Sequence, residues 1–179
     1  MSEAIVAFGG NLGRPDETFA RALEVLRRSD GVDVVAVSSL YRSAPWGPVA
    51  QPDFLNGVAV CETPPSVSEF AAVLFDIERA HGRGHAVRFG PRELDLDLVA
   101  FGDEILNGPD LTVPHPRMTE RTFVLEPLRE VRPTWVHPGL QRGVRELLAD
   151  LRGSGDDTPC ERLRGSRLGT PLAGNACRN

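Results

Sequence analysis

The sequence predicts an α+β sandwich, a mainly antiparallel sheet with helices packed against it. Three observations carry this. Strand-length apolar stretches and amphipathic helical stretches follow the order β-α-β-β-α-β. One stretch, Glu93 to Phe101, alternates strictly, with Leu94, Leu96 and Leu98 on one face and Asp95 and Asp97 on the other. The chain has 179 residues, 41% hydrophobic and 25% charged, an ordinary globular balance for a single domain of about 150 residues with a tail.

Ala4 to Phe8 is an apolar run closed by Gly9-Gly10, the pattern of a buried strand. Pro15, Asp16 and Glu17 open a helix, because proline suits the first turn and acids suit the positive end of the helix dipole. Phe19, Leu23 and Leu26 give it one apolar face, Arg27 and Arg28 fill the last turn, and Gly31 closes it. Val32 to Tyr41 reads as one further strand. Ser43 to Asp53 holds three prolines and reads as an irregular loop. Leu55 to Glu62 is the third strand. Ser66 and Glu69 have capping-box spacing, and Phe70, Leu74 and Ile77 form the apolar stripe of a second helix. Gly82 to Arg92 is a Gly-bearing basic loop. After the alternating strand, Gly102-Asp103 turns into a short return strand, and Pro114-His115-Pro116 makes a rigid corner. Thr119 to Arg129 is helical, and Val144, Leu147, Leu148 and Leu151 mark a last helix.

Residues 1–151 are expected to form the domain and 152–179 a disordered tail. The tail holds five Gly, two Pro and only Leu163, Leu168 and Leu172 as large aliphatics.

Composition also excludes chemistry. All 20 basic residues are Arg, so a P-loop lysine and a Schiff-base lysine are both ruled out. Any phosphate clamp must be built from guanidinium forks. A net charge of −5 argues against a nucleic-acid coat or a basic membrane binder. Cys61, Cys160 and Cys177 are too few and too widely spaced for a disulfide framework or a zinc site. The N-terminus lacks the basic and apolar regions of a signal peptide, and no apolar run reaches the roughly 18 residues of a membrane span. A cytoplasmic protein is therefore expected.

Asp95 and Asp97, two residues apart on a strand, share a face about 7 Å apart at the backbone. Such a pair can hold divalent ions, with nucleotide phosphates completing a Mg²⁺ shell; alone, it reads first as the solvated face of an edge strand. Immediately before it, Arg79 to Arg92 carries Arg79, Arg83, Arg88, Arg92, His81 and His85 and no acid. A polyanion with its metals would satisfy both segments at once. The turn Gly9-Gly10-Asn11-Leu12-Gly13 can cradle a phosphate but reads first as a tight turn. Asn56 offers a donor and an acceptor, and Phe54 and Phe123 are rings that can sandwich a planar ligand, although each also suits a core. His115, locked between prolines and followed by Arg121, is a held imidazole beside a cation.

These motifs, in this order, resemble the 6-hydroxymethyl-7,8-dihydropterin pyrophosphokinase family of folate biosynthesis. The resemblance runs from Ala4 to about Leu151. It rests on Gly9-Gly10-Asn11-Leu12, Tyr41-Arg42-Ser43, Gln51 to Asn56, Glu78 through Gly82-Arg83, Gly90 to Asp97, and Pro114-His115-Pro116 through Arg121-Thr122-Phe123. Gly90-Pro91-Arg92-Glu93-Leu94-Asp95-Leu96-Asp97 is its most specific string.

The resemblance implies a ferredoxin-like fold. It implies transfer of pyrophosphate from ATP to the pterin hydroxymethyl group, giving AMP. Asp95 and Asp97 would hold two Mg²⁺, and Arg83 and Arg92 would clamp phosphates as catalytic groups. Glu78, His115 and Arg121 would complete the ATP site. Asn56 would read the pterin, with Phe54, Phe123 and the loop aromatic Phe89 beside it and Ser43 and Pro45 lining the pocket. ATP and a reduced pterin alcohol would be the partners of a monomeric enzyme, with no nucleic acid and no membrane.

Gly10 stands where the family usually has Ser and Phe89 where it usually has Trp, and the basic loop is one residue shorter than usual. Two other classes compete: a metal-dependent phosphoesterase using the same aspartates, and an RNA-recognition module of the same element order. The second needs rings on its central strands where this sequence has Asp95 and Asp97.

Overall fold

Leu94, Leu96 and Leu98 fall on the buried face of their strand as the alternation requires, and the sheet is built outward from that register. The computed structural model describes residues 1–45, 50–63, 66–81, 90–155 and 157–172. Its main elements are β1 (Ser2–Gly10), α1 (Pro15–Arg28), β2 (Asp33–Val37), β3 (Tyr41–Ser43), β4 (Phe54–Thr63), α2 (Val67–Ala80) and β5 (Asp95–Phe101). Then come β6 (Leu106–Asn107), β7 (Thr112–Val113), a 3-10 turn at Met118–Glu120, α3 (Thr122–Val131), β8 (Val136–His137), β9 (Arg142–Gly143), α4 (Val144–Ser154) and β10 (Cys160–Arg162).

All pairings in the main sheet are antiparallel, in the order β10-β3-β4-β1-β5, with β2 also on β4. The ten-residue β4 is long enough to serve two neighbours on one side: β3 along Phe54–Asn56 and β2 along Ala59–Glu62. The strand order β5-β1-β4-β2, with α1 and α2 as the crossovers, is the ferredoxin-like arrangement.

Alternation along β1 divides the interior. Ala4, Val6 and Phe8 join Phe19, Leu23 and Leu26 of α1 and Phe70, Leu74 and Ile77 of α2. Ile5 and Ala7 face the opposite way, with Val124, Leu125 and Leu128 of α3 and Val144, Leu147, Leu148 and Leu151 of α4. The sheet is therefore covered on both faces. The capping box opens α2, with the Ser66 amide donating to Glu69 Oε2 at 2.8 Å and the Glu69 amide to Ser66 Oγ at 3.4 Å.

Three local expectations are corrected. The single strand expected over 32–41 is two strands, because the backbone between them bonds outside a regular ladder. The Ser38 amide donates to the Val58 carbonyl at 2.9 Å and Ser38 Oγ accepts from the Val58 amide at 2.9 Å. The amide and hydroxyl of Ser39 both donate to Glu130 on α3. The return strand after Gly102-Asp103 pairs with β7, not with the strand it returns from.

The third correction concerns the described part of the expected disordered tail; residues 156 and 173–179 lie outside the described residues. Helix α4 continues to Ser154, and residues 157–172 pack on the domain. Strand β10 pairs with β3, and the Leu168 side chain is 2% exposed among the α1 core residues. Its amide donates to the Ser38 carbonyl at 2.9 Å. The Leu172 amide donates to Asp16 Oδ2 at 2.7 Å. Low apolar content misled the expectation: the segment is held by backbone pairing, by the side chains of Asp157 and Arg162, and by Leu168 with Leu163 and Leu172 against the core, an arrangement that composition does not register.

Leu168→Ala is expected to lower the unfolding free energy by about 2–4 kcal/mol, read from the urea midpoint at unchanged m-value. Burial alone would raise the Asp16 carboxyl, but the Leu172 amide and Arg14 outweigh it and hold the group below the usual carboxylate value. A carboxyl depressed in the folded state stabilises above its unfolded pKa, and that contribution disappears as pH falls through the folded value. Asp16→Asn is therefore expected to be less stable than the parent at pH 6. The gap should close as denaturation is repeated at successive pH values below about 4.

Candidate active site

Three strands end together at one edge of the sheet, and their register builds a pocket of about 270 Å³. Gly9 of β1 lies opposite Asn56 of β4 on one side and Asp95 of β5 on the other. Two residues back, Ala7 lies opposite Asp97. Gly9 and Ala7 both line the pocket, so its floor is the one part of β1 with almost no side chain. A Cβ at Gly9 would stand 3.8 Å from Asn56 Oδ1 and 3.9 Å from Asp95 Cβ. Asn56 and Asp95 are thus two strand spacings apart, about 10 Å, across an open floor.

One wall is neutral. Asn56, 3% exposed, donates from Nδ2 to Ser43 Oγ at 3.0 Å. Phe54, Ala44, Phe123 and Val124 continue this wall. The other wall is charged. Arg92 pairs with Asp95 at 2.7 Å, and Arg121 pairs with Asp97 at 2.8 Å while lying 5.8 Å from the centre of the Phe123 ring. His115 Nε2 lies 3.8 Å from Asp97 Oδ2. Its Nδ1 accepts from the Arg117 amide at 3.2 Å, which leaves the proton of a neutral ring on Nε2. Burial pushes the imidazole below its ordinary pKa, and Arg121 and Arg117 push the same way against the pull of Asp97, so the ring is neutral at pH 7.

Backbone bracing aligns the two charged segments. The amides of Asn11 and Leu12 donate to the Arg92 carbonyl at 2.8 and 3.1 Å. The Asn11 side chain accepts from the Arg92 amide at 2.9 Å and donates to Gln51 Oε1 and the Pro52 carbonyl. The glycine-rich turn is therefore a brace and not a phosphate cradle, since these amides are already engaged. Gly10 lets the Glu93 carbonyl approach to 2.6 Å from where a Cβ would sit.

Of the residues singled out in the sequence, Ser43, Phe54, Asn56, Arg92, Asp95, Asp97, His115, Arg121 and Phe123 line this one pocket. Arg83 and Phe89 lie outside the described residues. Pro45 is not on the pocket wall. Neither is Glu78, which the resemblance placed with ATP. It is 2% exposed on α2, and its Oε1 accepts from the Leu96 amide at 2.7 Å, between the two aspartates. Its place is behind β5, where it fixes the strand that carries them. Arg117 was missed as a pocket residue; its signal was a second guanidinium in the corner holding His115 and Arg121.

Asp95 and Asp97 supply the hard oxygen donors that Mg²⁺ takes, and both are partly open to the pocket. Among the described residues no cluster of three His, Cys, Asp or Glu forms a ready-made metal cage. The residues fit a cation whose remaining ligands are phosphate oxygens and water.

Residues 5–133 match the family described as 7,8-dihydro-6-hydroxymethylpterin-pyrophosphokinase. A 2-amino-4-hydroxy-6-hydroxymethyldihydropteridine pyrophosphokinase of Pseudomonas aeruginosa is 42% identical over 149 residues, 83% of this chain and 91% of that protein. One from Synechocystis sp. is 40% identical over 148 residues, 83% of this chain and 75% of that protein. The crystal structure of a Plasmodium falciparum HPPK-DHPS triple mutant aligns with a TM-score of 0.71 at 14% identity. That alignment covers 90% of this chain but 45% of the larger one, and at that identity it speaks for the fold alone. The match over most of the chain, at this identity to full-length relatives, places it plainly: the chain belongs to the 7,8-dihydro-6-hydroxymethylpterin-pyrophosphokinase family.

Proposed function

We propose that the protein transfers the β,γ-pyrophosphoryl group of ATP to the hydroxymethyl oxygen of 6-hydroxymethyl-7,8-dihydropterin. The observation that carries this is one pocket floored by Ala7 and Gly9, with a neutral amide-and-ring wall on one side and paired guanidiniums and carboxylates on the other. A planar heterocycle with an exocyclic alcohol suits the first wall and a triphosphate suits the second.

In this reading Asn56, with Ser43 behind it, takes the pterin edge, and Phe54 and Phe123 flank its plane. Pro45 and the loop aromatic Phe89 stay with the pterin, and Arg83 with the phosphates, on the strength of the family resemblance. Asp95 and Asp97 would hold the Mg²⁺ ions, two by that resemblance, which when bound offset phosphate charge and stabilise charge developing at the reacting oxygens. With Asp95 and Asp97 serving a cation, Arg92 and Arg121 would be available to pair with phosphate oxygens. The neutral His115 ring can donate from Nε2 to a phosphate oxygen without adding charge. The new bond joins the hydroxymethyl oxygen to the β-phosphorus. The bond that breaks joins that phosphorus to the oxygen it shares with the α-phosphorus; the electron pair leaves with AMP and the hydroxyl proton is released. Catalysis in this scheme is positioning and charge neutralisation, which phosphoryl transfer mainly requires.

Neither the phosphoesterase nor the RNA-binding alternative is supported. The relatives are pyrophosphokinases, and the exposed face of β5 presents carboxylates in place of stacking rings. Among the described residues no helix is long and apolar enough to cross a membrane. The reading is of a monomeric enzyme working in the cytoplasm without nucleic-acid or membrane partners.

Incubation with ATP, Mg²⁺ and the reduced pterin alcohol should yield AMP in step with pterin diphosphate, with ADP at background, on anion-exchange chromatography. Pterin-dependent ADP as the main product would refute pyrophosphoryl transfer. Asp97→Ala should reduce kcat by more than about ten-fold, since it removes a metal ligand and leaves Arg121 without its carboxylate. Its circular-dichroism spectrum should match the parent's. Activity above a tenth of the parent's would take Asp97 out of the metal site.

A further inference from the structure

The segment 157–172 lies beyond the residues that match the family, yet it touches both supports of the neutral pocket wall. We infer that it is a strap that positions the pterin wall of the pocket, with Asp157 and Arg162 as its positioning residues. The inference rests on the assignment of that wall to the pterin.

The path of the strap carries the argument. It begins on the α3 side of the sheet, where Asp157 Oδ1 accepts a hydrogen bond from Thr122 Oγ1. Thr122 is 3% exposed and opens α3; Arg121 before it and Phe123 and Val124 after it all line the pocket. Three residues later the chain becomes β10 and pairs with β3, Cys160 opposite Ser43 and Arg162 opposite Tyr41. Ser43 is the residue that receives the Asn56 amide, and Ala44 follows it on the wall. Arg162 then donates to Ser39 Oγ and to Glu130 Oε1, both at 2.9 Å. Glu130 belongs to α3 and also accepts from the Tyr41 hydroxyl of β3 at 2.9 Å. The strap continues round the sheet edge to the α1 side, where Leu168 packs into the core against Gly57.

One short stretch thus joins the start of α3 to β3, and those two elements hold Phe123 and Ser43. Strand β3 is only three residues long. Without β10 it would be a short outer strand paired on one side alone, the kind of element that opens locally at little free-energy cost. On the charged wall, Arg92 and the strand carrying Asp95 and Asp97 have separate supports, Glu78 behind Leu96 and Asn11 at Arg92, and Arg121 is held by its own pair with Asp97. Loosening the strap should therefore disturb pterin binding far more than ATP binding.

The test uses the full-length double variant Asp157→Ala/Arg162→Ala, which keeps Leu168, beside a chain ending at Gly155. AMP formation is followed with each substrate varied in turn, and amide hydrogen exchange is measured on the free proteins. In the double variant KM for the pterin should rise about ten-fold while KM for ATP and kcat stay within about two-fold. Exchange should quicken at residues 41–44 and 122–124 and stay unchanged in β5. The truncated chain, where it folds, should shift the same way and further; where it does not fold, the double variant decides alone. An unchanged pterin KM overturns the inference, as does an equal rise in both KM values, which would make the strap a general stabiliser. If the parent itself makes no pterin-dependent AMP, the functional reading fails, and exchange alone judges the strap. Quickening confined to the two wall segments then upholds it, and unchanged exchange rejects it.

Discussion

Leu96 fixes the charged half of the site from two directions at once. Its side chain is buried with those of α1 and α2, and its amide, on the outer side of an edge strand, donates to the buried carboxylate of Glu78. A strand slipped by one residue would exchange its two faces, sending Leu94, Leu96 and Leu98 to the pocket and the aspartates into the core. That slip would leave two carboxylates without water or partners, at a cost of several kcal/mol each. The buried face therefore dictates that Asp95 and Asp97 look into the pocket. The antiparallel pairing with β1 then dictates that they look across Gly9 and Ala7 toward Asn56.

Charge keeps that half open until a ligand arrives. Asp95 and Asp97 do not face one another unneutralised, because Arg92 and Arg121 pair with them one to one. The arginines are held near the place where an anion would enter, and the carboxylates near the place where a cation would. In the proposed reading a metal–phosphate complex would offer each partner an opposite charge, so that binding would be an exchange of ion pairs instead of the creation of buried charge. The neutral state of His115 belongs to the same economy: a third positive charge beside Arg117 and Arg121 is disfavoured by both neighbours and by burial.

The legible parts of this design were those in which side-chain identity repeats with the period of an element. The alternation of 93–101 gave the faces of β5, and Ser66 with Glu69 gave the start of α2 to the residue. The pocket residues on β3, β4 and β5 were likewise visible as an ordered set of motifs. What escaped was held by groups that a sequence does not distinguish. Ser38 and Ser39 break a β-rich stretch because their backbone and hydroxyls find Val58 and Glu130, more than 15 residues away. Glu78 reads as a charged helix residue, and only the edge amide of Leu96 explains its burial. The strap reads as tail because its pairing uses peptide groups, which are the same in every residue.

These omissions share a cause that bears on how the pocket is kept in shape. Its two walls stand on elements whose free edges face opposite ways: β5 closes one side of the sheet and β3, without the strap, would close the other. Each edge leaves peptide groups that the sheet itself cannot satisfy. On the charged side a carboxylate from α2 supplies the acceptor for Leu96, which stiffens the strand without covering it and leaves the aspartates accessible. On the neutral side a whole strand, β10, occupies the edge, and Glu130 gathers donors from Ser39, Tyr41 and Arg162 to tie that edge to α3. In the proposed reading a single acceptor would suffice on the charged side, because ligand charge would hold that wall in place. The neutral wall would gain no such charge from a pterin, so its order would have to be built into the chain before binding.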